Sequence, residues 1–380
     1  MPLHYRLDRT IRSSAMGVTE VFTSRAADEA VEWERERIDK ILLVRGIFRM
    51  GDAILAAPAI ELLAKNFPHA QIDFVGPPIA NRLFQNLPLR NFYEISRSFP
   101  KASWSYFTLI KELRARCYDL AMDVSGSSAA MGSFIVGFSG ARWRVGMRGK
   151  WDRWYNQRAN RPKANNKYVI LPLVLAELGL KTEPCFPALA LTDQEREGAG
   201  ERIRNTLSKE SGPVVGIFVG GRKARGKRWA PENFAEIAIG LNNDGARTLI
   251  FVGPEERAMA GYFKAALQRH GAVAFEPDVR KFAALVAQCD LFVACDSGPM
   301  HLACALGVRT VAIFLKNDMA RWAPPAERAE VLYRETGPTP QDVLASCATE
   351  LARLGTRSSI SAITTLSFLY SYALSLMDFL

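Results

Sequence analysis

Cysteine and histidine are both scarce: the 380-residue chain carries six of the first and four of the second. Cys117, Cys185, Cys289, Cys295, Cys304 and Cys347 include no C-x-x-C pair, which argues against a zinc knuckle and against a secreted disulfide framework. They read as free thiols in a reducing cytosol. His4, His69, His270 and His301 do not stand at metal-ligand spacing, so no metal site is expected. Two glycine signatures are missing as well. No G-x-G-x-x-G follows the first apolar strand, which disfavours a dinucleotide-dependent oxidoreductase, and no loop ends in the G-K-[ST] of a Walker motif. The first 38 residues are polar and lack the apolar core of a signal peptide, so export by the general pathway is not expected.

Long apolar runs are also lacking, apart from the C-terminal end. Residues 360–380, ISAITTLSFLYSYALSLMDFL, hold a single charge, Asp378, and are about long enough to cross a bilayer. Their many Ser, Thr and Tyr residues leave three readings open: a membrane span or surface helix, a helix packed on the body, or an unstructured extension.

The composition itself, 48% apolar and 23% charged, is that of a well-cored chain of about two domains. A net charge of +10 points to an anionic partner: a nucleotide, a phosphorylated glycolipid, a membrane surface or nucleic acid. From residue 40 onward, short apolar runs alternate with stretches of helical period, the signature of strand-helix-strand units and parallel sheets. One series of strands is expected at 41–45, 72–76, 93–95 and 120–124, and a second at 214–220, 248–253, 291–296 and 310–314. Between them, a proline-rich segment reads as a linker, followed by Thr192-Asp193-Gln194-Glu195, a helix-opening capping box. Two α/β halves joined this way bind ligands at the carboxyl ends of their strands, which makes the loops after each strand the places to search.

Four stretches carry chemistry. In RGIFRMGDA, Asp52 stands where the first strand turns into a helix. Its carboxylate suits either a helix cap or a proton acceptor, and Pro58 is expected to bend that helix or delay its start. Gly220 and Gly221 open the loop GGRKARGKRW, in which five Lys/Arg residues follow the 214–220 strand; it reads as a diphosphate cradle or as a solvated basic loop. Asp296-Ser297-Gly298 opens a helix: Ser297 and Gly298 offer donors suited to phosphate, whereas Asp296 suits a sugar or ribose hydroxyl. His301, inside that helix, reads first as a packed residue. Finally, residues 140–163 interleave eight Lys/Arg with Trp143, Trp151, Trp154 and Tyr155. Such a mixture suits an anionic membrane or glycolipid, and also single-stranded nucleic acid, although no nucleic-acid module accompanies it and no nucleic-acid partner is expected.

Taken together, ILLVRGIFRMGDAILAAPAIELLAKNFPHAQIDFVG, GGRKARGKRWAPENFAEIA, FVGPEE and DSGPMHLACALGVRTVAIF resemble the heptosyltransferases of glycosyltransferase family 9, from about residue 40 to about residue 355. The resemblance implies an α/β fold of GT-B type, two Rossmann-like domains with parallel sheets facing across a cleft. It implies a metal-independent, inverting transfer of heptose from ADP-heptose to the inner core of lipopolysaccharide, with no cofactor beyond that nucleotide-sugar co-substrate. A cytoplasmic enzyme in peripheral contact with the inner membrane, acting on an anionic glycolipid, is the corresponding expectation. By motif, Asp52 resembles the general base and Lys227 the diphosphate-binding lysine. Glu255 resembles the acid that holds the ribose, and Asp296, Ser297, Gly298 and His301 resemble the donor-site segment, with Gly220, Gly221, Arg222 and Arg228 beside them. Phe48, Arg49, Arg144 and Arg148 are the acceptor-side candidates. Phe48 stands where the family commonly has small hydroxyl residues, in a loop one residue longer than the usual family loop. The expected division is an extension at 1–38, an acceptor domain at 39–185, a linker and helix at 186–212, a nucleotide-sugar domain at 213–335, a helix at 336–355 and the apolar tail at 356–380. A relative with another nucleotide-sugar or acceptor, or a non-catalytic nucleotide-sugar binder, are the alternatives; protein-modifying relatives carry a cysteine-rich finger that is absent here.

Overall fold

A computed structural model describes residues 37–96, 99–127, 130–183, 185–207, 211–221 and 225–355. Most of the N-terminal extension, Arg222 and the apolar tail after residue 355 lie outside the described residues. The chain divides into two compact units: described residues up to Asp193 together with Ala320–Ala323, and Gln194–Met319 together with residues 324–355.

In the first unit, β1 (Lys40–Val44), β2 (Gln71–Gly76), β3 (Asn91–Glu94), β4 (Leu120–Asp123), β5 (Trp143–Met147) and β6 (Gln157–Ala159) form one parallel sheet. Ile41 to Val44 are all inaccessible, since a strand covered on both faces by helices is apolar at every position rather than at alternate ones. The helices are α1 (Met50–Ile54), α2 (Ala57–Asn66), α3 (Pro78–Leu83), α4 (Phe99–Arg116), α5 (Ala130–Phe138) and α6 (Ile170–Glu177). Pro58 acts as expected: α1 stops at Ile54, and α2 restarts at Ala57 with the proline in its first turn, where a missing N–H costs nothing.

The second unit repeats the plan. After α7 (Asp193–Thr206) come β7 (Val214–Phe218), α8 (Pro231–Asn243), β8 (Arg247–Val252), α9 (Ala260–Leu267), β9 (Ala272–Phe275) and α10 (Val279–Val286). Then follow β10 (Leu291–Cys295), α11 (Gly298–Ala305), β11 (Arg309–Phe314), α12 (Met319–Trp322), whose residues 320–322 belong with Ala323 to the first unit, β12 (Ala329–Tyr333) and a helix over 340–355. Val343 and Cys347 of that last helix join the core built from β7, β8, β10, β11 and α8. α7 opens at the capping-box position, and its Glu195 takes a paired bond from Arg280, 2.6 Å from Nε and 2.8 Å from Nη2.

The strand orders locate the candidate sites. The first sheet runs β3-β2-β1-β4-β5-β6 and the second β12-β11-β10-β7-β8-β9, which is the same Rossmann order read from the opposite edge. In each, the direction of winding reverses between two central strands: β1 and β4 in the first, β7 and β10 in the second. Loops leaving the carboxyl ends of such a strand pair diverge and leave a crevice, the usual ligand position in open α/β sheets.

Residues 140–163 require a correction. They are not a stacking platform: Trp143, Trp151, Trp154 and Tyr155 are buried, and the stretch supplies β5 and β6. Trp143 and Val145 turn into the core along β5, while the intervening Arg144 bends back to bond the carbonyls of Trp154 and Ala141, at 3.0 and 3.2 Å. Among the described residues, no helix is long and apolar enough to cross a membrane.

Candidate active site

At the switch point of the first sheet, the loop after β1 delivers Asp52. The cap reading does not hold. Arg49 occupies the N-cap of α1, no side chain caps the helix, and Asp52 sits in the first turn, where the helix dipole favours its charge. Its carboxylate is 3.5 Å from Arg45 Nη2 and 4.0 Å from Arg49 Nη1, and 11% of the side chain remains accessible. The two arginines differ: Arg49 is 41% accessible, whereas Arg45 is 3%. Arg45 leaves the end of β1 and is fixed at its other nitrogen, Nη1, which donates to the Val124 carbonyl at the end of β4 at 2.5 Å. Burial lowers the Arg45 pKa; Asp52 and then Asp123 oppose the shift.

Asp123, the last residue of β4, is the buried counterpart. Its Oδ1 accepts from the Ser125 N–H at 2.9 Å, and its Oδ2 accepts from the Tyr155 hydroxyl at 2.9 Å, which also shares a hydrogen with Ser133 at 2.6 Å. Gly132 makes room for this carboxylate: a Cβ there would stand 2.6 Å from the Asp123 carboxyl carbon. Burial, the largest influence, pushes the carboxyl up to about 6; bonds from Ser125 and Tyr155 and the nearby Arg45 pull the other way. Lys167 adds a further cation, with Nζ donating to the Gly126 carbonyl at 2.8 Å and its N–H to the Arg321 carbonyl at 2.9 Å. Burial first, then Arg321 and Arg45, lower its pKa to about 8 against the opposing pull of Asp52. Asp52 therefore faces a cationic neighbourhood, which favours an anionic ligand.

Of the acceptor-side candidates, Phe48 is half-buried and packs on the core cluster of the first unit that contains Tyr106 and Leu109. Arg148 is exposed, its backbone N–H bonded to Ala159. Arg144 is engaged with backbone carbonyls as described above.

At the switch point of the second sheet, the loop after β7 folds onto itself. A Cβ on Gly221 would collide with the Lys227 carbonyl, and Arg228 Nε donates to the Gly221 carbonyl at 3.1 Å. This close return needs glycine and carries Lys227 to the end of β10. There its buried ammonium pairs with Asp296 and, at 2.5 Å, with Asp318. Next to Asp296, Ser297 occupies the N-cap of α11 without capping it, and its buried hydroxyl has no hydrogen-bond partner among the described residues. Gly298 begins the helix, followed by Pro299, and His301 is buried within it. Gly220 lies beside Phe218 and Glu256. Arg228 pairs with Glu256, which is buried, while Glu255 is exposed. Burial is the main cause raising the Glu256 pKa, with Arg228 opposing it.

Of the residues the sequence points to, Asp52 lies in the first turn of α1, Lys227 in the loop after β7, and Asp296 to Gly298 at the start of α11, all at the carboxyl ends of switch-point strands. Arg45, Asp123, Lys167, Asp318 and Glu256 are not among them, and Tyr155 is marked only as one of the aromatics of 140–163. The charged residue closing the apolar run LAMD was a usable signal for Asp123. No local pattern marks Asp318 or Lys167, which tertiary packing alone brings in.

The profile of glycosyltransferase family 9 (heptosyltransferase) matches residues 106–350. Lipopolysaccharide heptosyltransferase 2 of Salmonella typhimurium strain LT2 is 25% identical over 325 residues, covering 78% of this chain and 88% of its own. Among solved structures, a glycosyl transferase family 9 protein from Veillonella parvula superposes with a TM-score of 0.75 at 21% identity, covering 86% of this chain and all (100%) of its own. The ADP-heptose lipopolysaccharide heptosyltransferase II of E. coli superposes with a TM-score of 0.68 at 22% identity, covering 84% and 99%. The fold is thus the α/β GT-B type of those proteins.

Proposed function

The chain belongs to glycosyltransferase family 9 (heptosyltransferase), and from that premise we propose that it moves a heptose from ADP-heptose to a lipopolysaccharide inner-core acceptor, with inversion and without a metal ion. The observation that carries the reading is the placement of Asp52: a carboxylate at a sheet switch point, held by Arg45 and Arg49. The named relatives supply the substrate class, being lipopolysaccharide heptosyltransferases.

Inverting transfer is one displacement at the anomeric carbon. The acceptor hydroxyl attacks as the bond to the nucleotide diphosphate breaks, and a base on the acceptor side takes the hydroxyl proton. Asp52 is that base. Its two arginines hold the carboxylate in place without donating into the attacking hydroxyl, and Arg49, Lys167 and Arg321 attract acidic groups of the acceptor. The departing diphosphate gathers negative charge, which fixed cations and N–H donors stabilise. Lys227, the Ser297 hydroxyl and the first N–H groups of α11 fill that role. In binding, the diphosphate replaces a carboxylate on the Lys227 ammonium, so that Asp296 is released toward a sugar hydroxyl. Arg228 and Glu256 brace the loop; the exposed Glu255 is placed to hold the ribose. We assign the reaction to the cytoplasmic face of the inner membrane, where such an acceptor would be met.

Incubation with ADP-heptose and a deacylated inner-core acceptor, followed by mass spectrometry, tests the reading. The expected product is one heptose heavier than the acceptor, and Asp52→Asn should lower its rate by roughly 10² to 10⁴, the usual contribution of a positioned base. Donor binding with no transfer to any core acceptor would instead mark a nucleotide-sugar binder.

A further inference from the structure

Trp104 and Phe107 on α4 are 75% and 66% accessible, and their rings stack with centroids 6.1 Å apart. Two large aromatics held together in water are unusual, because each would bury far more apolar surface in a core or at an interface. The inward face of the same helix is well satisfied: Tyr106, Leu109 and Leu113 are buried in the core of the first unit, and the Tyr106 hydroxyl donates to the Ser96 carbonyl at 2.8 Å. Residues 104, 107, 111 and 114 follow the spacing of one helix stripe. Trp104 and Phe107 occupy its N-terminal part, and the exposed Lys111 and Arg114 continue it. Glu112 is the one acidic residue exposed between 104 and 115.

The helix is also well placed. In a parallel sheet, a helix following a strand begins at the carboxyl edge, so the aromatic end of α4, after β3, shares that edge with the Asp52 loop after β1. Phe48 of that loop packs on the same core cluster as Tyr106, Leu109 and Ile110. Aromatic rings beside lysine and arginine on a helix match the boundary between acyl chains and anionic headgroups, where aromatics prefer to sit and each basic residue is attracted. A second copy fits less well, since a two-fold contact would set the cationic stripe against itself.

We propose that the outward face of α4 is a bilayer-contact surface: Trp104 and Phe107 enter the headgroup boundary of an anionic membrane while Lys111 and Arg114 pair with its phosphates. This rests on the proposed glycolipid acceptor only for its purpose, which is to bring the Asp52 loop to a substrate embedded in lipid. The test is flotation of the full chain with vesicles of phosphatidylcholine alone and of equimolar phosphatidylcholine and phosphatidylglycerol. The wild type should bind the anionic vesicles and release partly at high salt. The double variant Trp104→Ser/Phe107→Ser should partition at least about tenfold less. Lys111→Gln/Arg114→Gln should lose about thirtyfold, from about a fivefold effect per charge. Both variants should transfer heptose to a deacylated, water-soluble acceptor at the wild-type rate. Wild-type partitioning by both variants would overturn the proposal. So would a change from dimer to monomer in the aromatic variant with vesicle binding intact, which would make the face an interface between copies. If the wild type transfers nothing to the soluble acceptor yet the variants lose the vesicles, the reaction assignment fails and the membrane face stands.

Discussion

Asp52 is held by one buried and one accessible guanidinium, and the groups behind it titrate in a range that experiments reach. Lys167, with its pKa lowered to about 8, is largely charged at neutral pH and loses its proton as the pH rises through that value. The KM for an anionic acceptor should therefore climb between neutral pH and mildly alkaline pH in the wild type, and Lys167→Met should show a raised but pH-independent KM over the same interval. Asp123 gives the opposite kind of signal. Its folded pKa of about 6 lies above the ordinary 3.8, so the native state holds this proton more tightly than the unfolded chain does. The cost of burying the charge is then complete above pH 6 and vanishes as the pH falls below the unfolded value. Between about pH 4.5 and 7 this group should remove about 2 kcal/mol of stability, from the linkage of about 1.4 kcal/mol per pK unit. Urea unfolding of wild type and Asp123→Asn at those two values checks it: the variant should lack that part of the slope, while Arg45, Ser125, Tyr155 and the nearby Asp52 remain in place. Asp52 stands out in the sequence because it falls where the first apolar run gives way to a helix, whereas Lys227 is one of five Lys/Arg in its loop and only the family resemblance separates it from the others. Arg45 stood inside the same quoted stretch without being singled out, since only the Val124 carbonyl at the end of β4 and the Asp52 carboxylate reveal what it does.

The eight strands expected at apolar runs are all present, within a residue or two at each end; apart from β3, a partly exposed edge strand, they are buried and announce themselves by their apolar runs. The four that went unread are β5, β6, β9 and β12. β6, β9 and β12 are short or lie at sheet edges, where burial is partial and the apolar signal fades. β5 is different: it is flanked by β4 and β6, and its Trp143 is wholly buried, yet alternation with Arg144 and the surrounding basic residues made it look like surface. The stem of an arginine can lie along a core while its charged end is satisfied by carbonyls, so charge in a sequence does not by itself mean exposure. Trp143→Ala should accordingly cost roughly 3 to 5 kcal/mol, the range for removing a large buried aromatic, as measured by chemical denaturation. An exposed basic platform would lose almost nothing on the same change. The loop after β7 shows the converse. Its glycines were read as room for an anion, and Gly221 is needed first for the loop to return upon its own Lys227 carbonyl, which is how Lys227 reaches Asp296 and Asp318.

The two units repeat one design, a six-stranded Rossmann sheet with charged residues on the loops at its switch point, and the charges differ between them. The first presents a carboxylate among cations, to which the proposed reaction gives the acceptor's proton. The second presents a lysine and a helix N-terminus, to which it gives the departing diphosphate. The placement of these loops at strand ends is legible from the order of motifs, since topology fixes it once the strands are found; the ion-pair partners are not, because they come from distant segments. The proposed reaction gives proton removal to Asp52 and diphosphate binding to Lys227, and steady-state kinetics with ADP-heptose and a deacylated inner-core acceptor separates these two roles directly. Asp52→Asn should lower kcat by roughly 10² or more with donor KM nearly unchanged. Lys227→Met should weaken donor binding roughly ten- to hundredfold, as the loss of a charge-assisted contact of about 1.5 to 3 kcal/mol requires. Asp52→Asn turning over at the wild-type rate, with both variants folded by thermal melting, would contradict the account.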